Sequence, residues 1–248
     1  MKQILIVRSN PEEVAESASE WLVEKLKSAI AERDRCVIAV SGGSTPKRLY
    51  QILAELPEGR IPWSKVHMIW GDERNVPLDH PDSNFGMVRH ALLTPLGKAG
   101  PNVYPVPIDE KQPQKTADYY EATLRSLFGI QDHRFPSIDI ALLGLGDDAH
   151  TASLFPFTPA LSELTRWVAS NWVEKLSSHR VTLTAPVFNA ASHVAFLVCG
   201  AGKRQALQSI WHGERDPKTY PAQLIQPKSG ELVWILDQAA VESVDPPK

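Results

Sequence analysis

The sequence predicts an α/β fold, a mostly parallel sheet with helices on both faces. Three observations carry that prediction. Short apolar runs alternate along the chain with segments of helical period. The most apolar runs, CVIAV at 36–40 and VAFLVC at 194–199, show no inside–outside alternation, as expected of strands covered on both faces. Loops rich in glycine and polar side chains come after four of these runs, whereas Pro57-Glu58-Gly59-Arg60 at the opposite edge reads as an ordinary turn.

The first strand is the apolar run ILIV at 4–7. Asn10-Pro11-Glu12-Glu13 then supplies an N-cap, a proline at the first helical position and acidic residues in the first turn. The next helix carries Val14, Ala18, Trp21, Leu22, Leu26, Ala29 and Ile30 on one face. Residues 36–40 form the second strand. Thr45 and Pro46 open a helix bearing Leu49, Ile52, Leu53 and Leu56, and VHMIW at 66–70 is the third strand. A helix is expected over 84–93, with Phe85, Val88, Leu92 and Leu93 inward.

Beyond a proline-containing stretch at 101–107, residues 116–128 read as a helix and IDIALL at 138–143 as a strand. Shorter strands are expected at 167–169 and 181–183. A strand at 194–199, a helix at 202–211 and a strand at 232–236 complete the pattern. No internal repeat, linker or low-complexity tract divides residues 1–248, so a single domain is expected, with room for a small subdomain in the proline-containing middle.

Composition narrows the function classes. Apolar residues make up 43% and charged residues 22% of the 248, a balance that excludes a disordered tail protein. A net charge of -3 and a pI near 6.2 give no electrostatic footprint for nucleic acid or an anionic membrane. A few local cations are still enough to hold a phosphorylated substrate. Cys36 and Cys199 cannot build a disulfide framework and read as buried, reduced thiols of a cytosolic protein. The run at 4–7 is too short for a signal-peptide core, and nothing approaches a transmembrane span, so a cytoplasmic location is expected.

In an open α/β sheet ligands bind at the carboxyl ends of the strands, so the residues just past each strand are the candidates for a site. After Val40 come Ser41-Gly42-Gly43-Ser44-Thr45-Pro46, and after Trp70 come Gly71-Asp72-Glu73-Arg74. After Leu143 come Gly144-Leu145-Gly146-Asp147-Asp148-Ala149-His150-Thr151, and after Cys199 come Gly200-Ala201-Gly202-Lys203. In the first loop, Gly42 and Gly43 let backbone N–H groups approach an anion at the start of a helix, and Ser44 and Thr45 add hydroxyl donors. It lacks the Gly-Lys-Ser/Thr ending of a nucleotide P-loop, which favours a sugar phosphate over ATP.

The loop after Leu143 satisfies G-x-G-x-x-G/A. However, Asp147 and Asp148 would oppose a pyrophosphate, and Pro156 and Pro159 interrupt any long helix after it, so no nicotinamide cofactor is expected. Instead Asp148 and His150 read as a carboxylate fixing the tautomer of an imidazole that accepts a proton. Of the eight histidines, only His150 lies in a glycine-rich loop just past a buried strand. Asp72, Glu73 and Arg74 are either a surface salt-bridge cluster or part of the site. In the latter case Arg74 holds an oxyanion or hydroxyls, and Asp72 accepts from sugar hydroxyls or orients the base. Lys203 heads a helix against its dipole, which an anionic ligand would explain, and Arg180 is a second candidate phosphate clamp. No histidine, cysteine or acidic spacing suits zinc or calcium, so neither metal nor cofactor is expected.

Together these motifs resemble the 6-phosphogluconolactonases, cousins of the glucosamine-6-phosphate deaminase/isomerases. The likeness runs through VSGGSTP at 40–46, WGDER at 70–74, Val76-Pro77, Asp82-Ser83-Asn84, GLGDDAHTASLFP at 144–156, RVTLT at 180–184, GAGK at 200–203 and Pro221-Ala222. The family usually has glycine where Ala149 stands, implying a changed loop conformation here. It commonly has glycine also where Phe157 stands, implying a reshaped entrance.

The resemblance implies a Rossmann-like α/β fold and cofactor-free hydrolysis of 6-phospho-D-glucono-1,5-lactone to 6-phospho-D-gluconate in the pentose phosphate pathway. It implies that His150 activates water and Arg74 orients the lactone or its oxyanion. Ser44, Thr45, Arg180 and Lys203 resemble phosphate-binding positions, with the Gly42-Gly43 backbone approaching the ligand. The expected partner is thus a sugar phosphate lactone, with neither nucleic acid nor membrane. A deaminase/isomerase reading meets Phe155 where that family has a glutamate and Arg74 where it has a tyrosine. A non-catalytic sugar-phosphate sensor meets the lack of a helix-turn-helix segment and of a basic face.

Overall fold

The computed structural model describes residues 2–247. Its strands are β1 (Lys2–Arg8), β2 (Cys36–Val40), β3 (Val66–Trp70), β4 (Asp72–Arg74), β5 (Asn102–Tyr104), β6 (Ile140–Leu143), β7 (Val168–Val173), β8 (Ser178–Leu183), β9 (His193–Val198) and β10 (Glu231–Asp237). Seven of them form one sheet in the order β1-β10-β9-β6-β2-β3-β5, and every neighbouring pair is parallel. All residues of β2 and β6 are buried, so helices cover both faces at the centre of the sheet.

Strand order positions the site. From β2 the chain steps to β3 and β5 in one direction, whereas from β6 it steps to β9 and β10 in the other. The connections therefore diverge between β2 and β6 and leave a crevice at their carboxyl ends.

Helix α1 (Pro11–Arg33) starts as its sequence requires: the Asn10 side chain accepts from Glu13 N at 3.0 Å, and Glu13 accepts from Ser9 N at 3.1 Å. Helix α2 (Ser44–Glu55) returns Tyr50 to the end of β2. The buried Tyr50 hydroxyl donates to Ser41 O at 2.9 Å and accepts from Ser41 N at 3.1 Å. The Pro113–Phe128 helix does the same for β3, where Tyr120 donates to Trp70 O at 3.0 Å and accepts from Trp70 N at 2.7 Å. Each tyrosine satisfies backbone groups at the point where a strand gives way to a site loop.

The structure differs from the sequence expectations in four places. Residues 168–169 and 181–183 belong to a separate antiparallel sheet, ordered β4-β8-β7, rather than to the parallel one, and Trp167 lies just before its strand. Gly71 is the junction: its N–H donates to Val40 O in the large sheet and its carbonyl accepts from Leu183 N beside the small one, at 2.9 and 2.8 Å. The proline-containing stretch supplies the edge strand β5, where Pro101 and Pro105 do not interrupt a central ladder. The helix expected over 84–93 is α3 (Asn84–Val88) and then a π-helical turn at Arg89–Leu93, because Pro95 has no N–H for the carbonyl four residues back. Cys36 is buried as expected, but Cys199 is only half-buried.

Candidate active site

The loops after β2, β3, β6 and β9 meet in a cleft of about 250 Å³. Among the residues singled out in the sequence, Gly42, Gly43, Asp72, Arg74, His150 and Lys203 line it. Ser44, Thr45 and Arg180 stand outside that lining. Asp148 touches His150 from behind.

His150 is built for one-sided chemistry. Its Nδ1 lies 2.5 Å from Asp148 Oδ1, and an ionised carboxylate only accepts, so Nδ1 carries a proton and Nε2 is the acceptor of the neutral ring. Burial opposes charge on Asp148, but hydrogen bonds from His150 and Lys175 outweigh it and hold the carboxyl well below its ordinary range. Phe155 lies flat against the imidazole, with ring centroids 4.0 Å apart and planes at 19°. Gly146 makes the approach possible: a Cβ there would stand 2.0 Å from His150 Nδ1 and 2.7 Å from Asp148 Oδ1.

Across the cleft, α2 begins at Gly43 (φ +107) with no side-chain cap, so its first-turn N–H groups are open to an anion. Gly42 admits the Asn84 side chain, whose Oδ1 would lie 1.9 Å from a Cβ at that position. Asn84 Nδ2 in turn donates to Asp72 O at 2.9 Å.

Arg74 and Arg180 are direct cross-strand partners on β4 and β8. Neither guanidinium has a carboxylate within 4.0 Å among the described residues. Arg74 Nε is buried without a hydrogen-bond partner. Burial, and next the charge of Arg74, lower the basicity of Arg180. Asp72, Asp82 and Glu73 act on Arg180 only from beyond direct contact, so the two guanidiniums stand side by side without a paired carboxylate.

The Asp72-Glu73-Arg74 triplet is not a surface salt-bridge cluster. Glu73 is fully buried and accepts from the N–H groups of Arg74, Asn84 and Phe85 at 2.7–2.8 Å, which anchors α3. Asp72 accepts from Ser153 Oγ at 2.7 Å and from Asn84. Its hydrogen bonds do not include His150, so of the two candidate orienters only Asp148 contacts the ring. Lys203 stands at the start of the Arg204–His212 helix, inside a 3-10 turn, and its Nζ pairs with Asp147 of the neighbouring loop.

The family profile described as Glucosamine-6-phosphate isomerases/6-phosphogluconolactonase matches residues 9–234. A 6-phosphogluconolactonase of Synechocystis is 45% identical over 245 residues, covering 99% of this chain and 96% of its own. The chain belongs to the 6-phosphogluconolactonase family. A 6-phosphogluconolactonase of Nostoc is 42% identical, covering 97% of this chain and 98% of its own. The structure of 6-phosphogluconolactonase from Trypanosoma cruzi superposes with a TM-score of 0.86 at 32% identity, covering 99% of this chain and 98% of that one.

The two positions where the resemblance implies glycine have a geometry of their own. Ala149 and Phe157 both take φ of +61°, the left-handed region that favours glycine. Ala149 therefore keeps a backbone suited to glycine rather than escaping it. Phe157 borders not the His150 cleft but a larger, mostly apolar cavity of about 720 Å³ behind the Asp147-Asp148-Ala149 loop. The polar groups of this 6-phosphogluconolactonase fold converge in the smaller cleft.

Sequence reasoning missed Tyr50 and Tyr120 as clamps, Glu73 as an anchor, Phe155 as the wall against His150, and Lys175. Glu73 had a local signal in its place beside two candidate site residues, and Phe155 had one in its place five residues after His150.

Proposed function

We propose that the protein hydrolyses 6-phospho-D-glucono-1,5-lactone to 6-phospho-D-gluconate in the pentose phosphate pathway, with His150 as general base. The observation carrying this reading is a single imidazole, its Nδ1 held by Asp148, whose ring faces a cleft shared with Arg74 and Lys203. His150 Nε2 takes a proton from water as the water oxygen attacks the lactone carbonyl carbon. The tetrahedral oxyanion then collapses, the bond from that carbon to the ring oxygen breaks, and the imidazolium returns its proton to the departing oxygen.

Positioned general-base catalysis contributes on the order of 10²–10⁴-fold. A lactone is already an activated ester, so no covalent nucleophile is required. The Arg74–Arg180 pair and the open start of α2 offer cationic and N–H donors for the phosphate, each charged hydrogen bond contributing roughly 1.5–3 kcal/mol. Lys203 joins them once a ligand phosphate displaces Asp147. The loops that compose the site come from β2, β3, β6 and β9, which favours one catalytic domain.

A deaminase/isomerase role needs a second acid–base group, and Phe155 fills that side of His150 with an apolar ring. No helix among the described residues is long and apolar enough to cross a membrane. A cytoplasmic location is our proposal; relatives named as 6-phosphogluconolactonases from rice are chloroplastic. The test is a lactone-disappearance assay beside a glucosamine-6-phosphate assay. Lactone turnover lost in a folded His150→Gln variant is the expected result, and an unchanged rate in that variant would reject the base.

A further inference from the structure

We propose that Lys175 is a positioning residue that acts through Asp148 to set the pH range in which His150 works. This rests on the reading of His150 as the base. Lys175 lies on the Glu174–Leu176 turn that joins β7 to β8 in the small sheet, outside every motif of the large sheet's loops. Its Nζ stands 2.8 Å from Asp148 Oδ2, while Asp148 Oδ1 stands 2.5 Å from His150 Nδ1. One carboxylate is thus shared between an imidazole and an ammonium group on its two oxygens.

The Lys175 side chain is 68% exposed, so as a surface ion pair it contributes little to folding. Its electrostatic effect on the dyad is a separate matter. Asp148 alone would stabilise the imidazolium and hold His150 protonated to higher pH. Lys175 draws on the same carboxylate and repels charge on the ring. It therefore frees Nε2 at lower pH.

The other groups around the ring do not substitute for it. Phe155 covers one face and is neutral. Asp147 is paired with Lys203, and Glu174 accepts from Trp172 Nε1 at 2.6 Å. Across the cleft, Asp72 is held by Ser153 and Asn84, and Arg74 donates to Asp82 O at 2.6 Å. Among the described residues Asp148 is the only carboxylate within 4.0 Å of a ring nitrogen, and Lys175 is the only lysine or arginine paired with it.

The experiment compares wild type with Lys175→Met, Lys175→Glu and Lys175→Arg, using the pH profile of kcat/KM for the phosphorylated lactone after subtraction of spontaneous hydrolysis. The His150 ring is titrated in parallel by NMR in the free enzyme. For Lys175→Met the acid limb and the ring midpoint should both move upward by about 0.3–0.5 pH units. Lys175→Glu should move them further, Lys175→Arg should restore them, and about 1 M salt should shrink the differences. A uniform fall in rate with an unmoved limb and midpoint overturns the proposal, because a merely structural lysine would act that way. If His150→Gln keeps full activity, the base reading fails, and the ring midpoint still decides the coupling to Lys175. If His150→Gln is inactive and Lys175→Met leaves both readouts unmoved, the Lys175 proposal fails alone.

Discussion

Phe155 lies face to face with His150, ring centroids 4.0 Å apart and planes at 19°, and is itself only 6% exposed. The ring fixes the imidazole plane while Asp148 fixes its tautomer. Phe155→Leu keeps a smaller apolar side chain but loses the stacked surface, which is worth about 0.5–1.5 kcal/mol. Urea unfolding should register that loss, and kcat should drop by up to about 10²-fold through misplacement of the ring, with KM little changed. A variant with wild-type kcat would show that the stacking is incidental.

Gly146 admits the dyad because a methyl there overlaps His150 Nδ1. Gly146→Ala should therefore push the ring off Asp148 and lower kcat by about 10²-fold or more. Asp148→Asn should give a loss of the same order. Both variants should keep a cooperative urea transition, with Asp148→Asn losing some stability because its depressed carboxylate is gone, which separates a broken site from a broken fold.

Arg74 and Arg180 face each other without a carboxylate between them. Arg180→Ala should reduce kcat/KM for the phosphorylated lactone by about 10–100-fold, the equivalent of one charged hydrogen bond. Activity on unphosphorylated gluconolactone should barely change, and relief of like-charge repulsion should leave stability equal or higher. If the preference for the phosphorylated substrate survives, the phosphate binds elsewhere.

Phe157 holds a left-handed backbone although it is 66% exposed. Phe157→Gly should raise stability by about 0.5–1 kcal/mol, because glycine adopts that region without the Cβ clash. Phe157→Ala should bring no such gain, since it retains the Cβ. Urea midpoints of the two variants distinguish backbone strain from side-chain burial.

Glu231, at the amino end of β10, binds Lys2 and Lys25 at 2.9 and 3.1 Å. Burial opposes its charge, but these partners prevail and pull its carboxyl from 4.5 down to about 2. A depressed carboxylate stabilises the fold above its unfolded value and loses that contribution as pH falls through the folded one. Between pH 4.5 and about 2, wild type should therefore lose more stability than Glu231→Gln, read as the difference in urea midpoint. Parallel curves for the two proteins would show that the cluster is not coupled to folding.

Much of the architecture was legible because β2 is a continuous apolar run and β3 is one but for His67, and the bounds of both coincide with their sequence patterns. The start of α1 was equally readable, since Asn10, Pro11 and Glu13 act within one turn. By contrast β4 has only three residues, too few for a period to register, and its partner β8 is about a hundred positions away. The small sheet was therefore invisible as a sheet even though parts of β7 and β8 read as strands.

The candidate site divides along the same line. Sequence by itself determined which loops could carry chemistry, because a parallel sheet puts the loop after every strand on one edge and glycine marks where backbone approaches closely. Tertiary structure alone decided that Asp148 rather than Asp72 holds His150, that Arg180 stands beside Arg74, and that Lys175 reaches the dyad from another sheet. Local patterns report the few residues on either side of a position, whereas polar partners are chosen by which distant segments burial brings together.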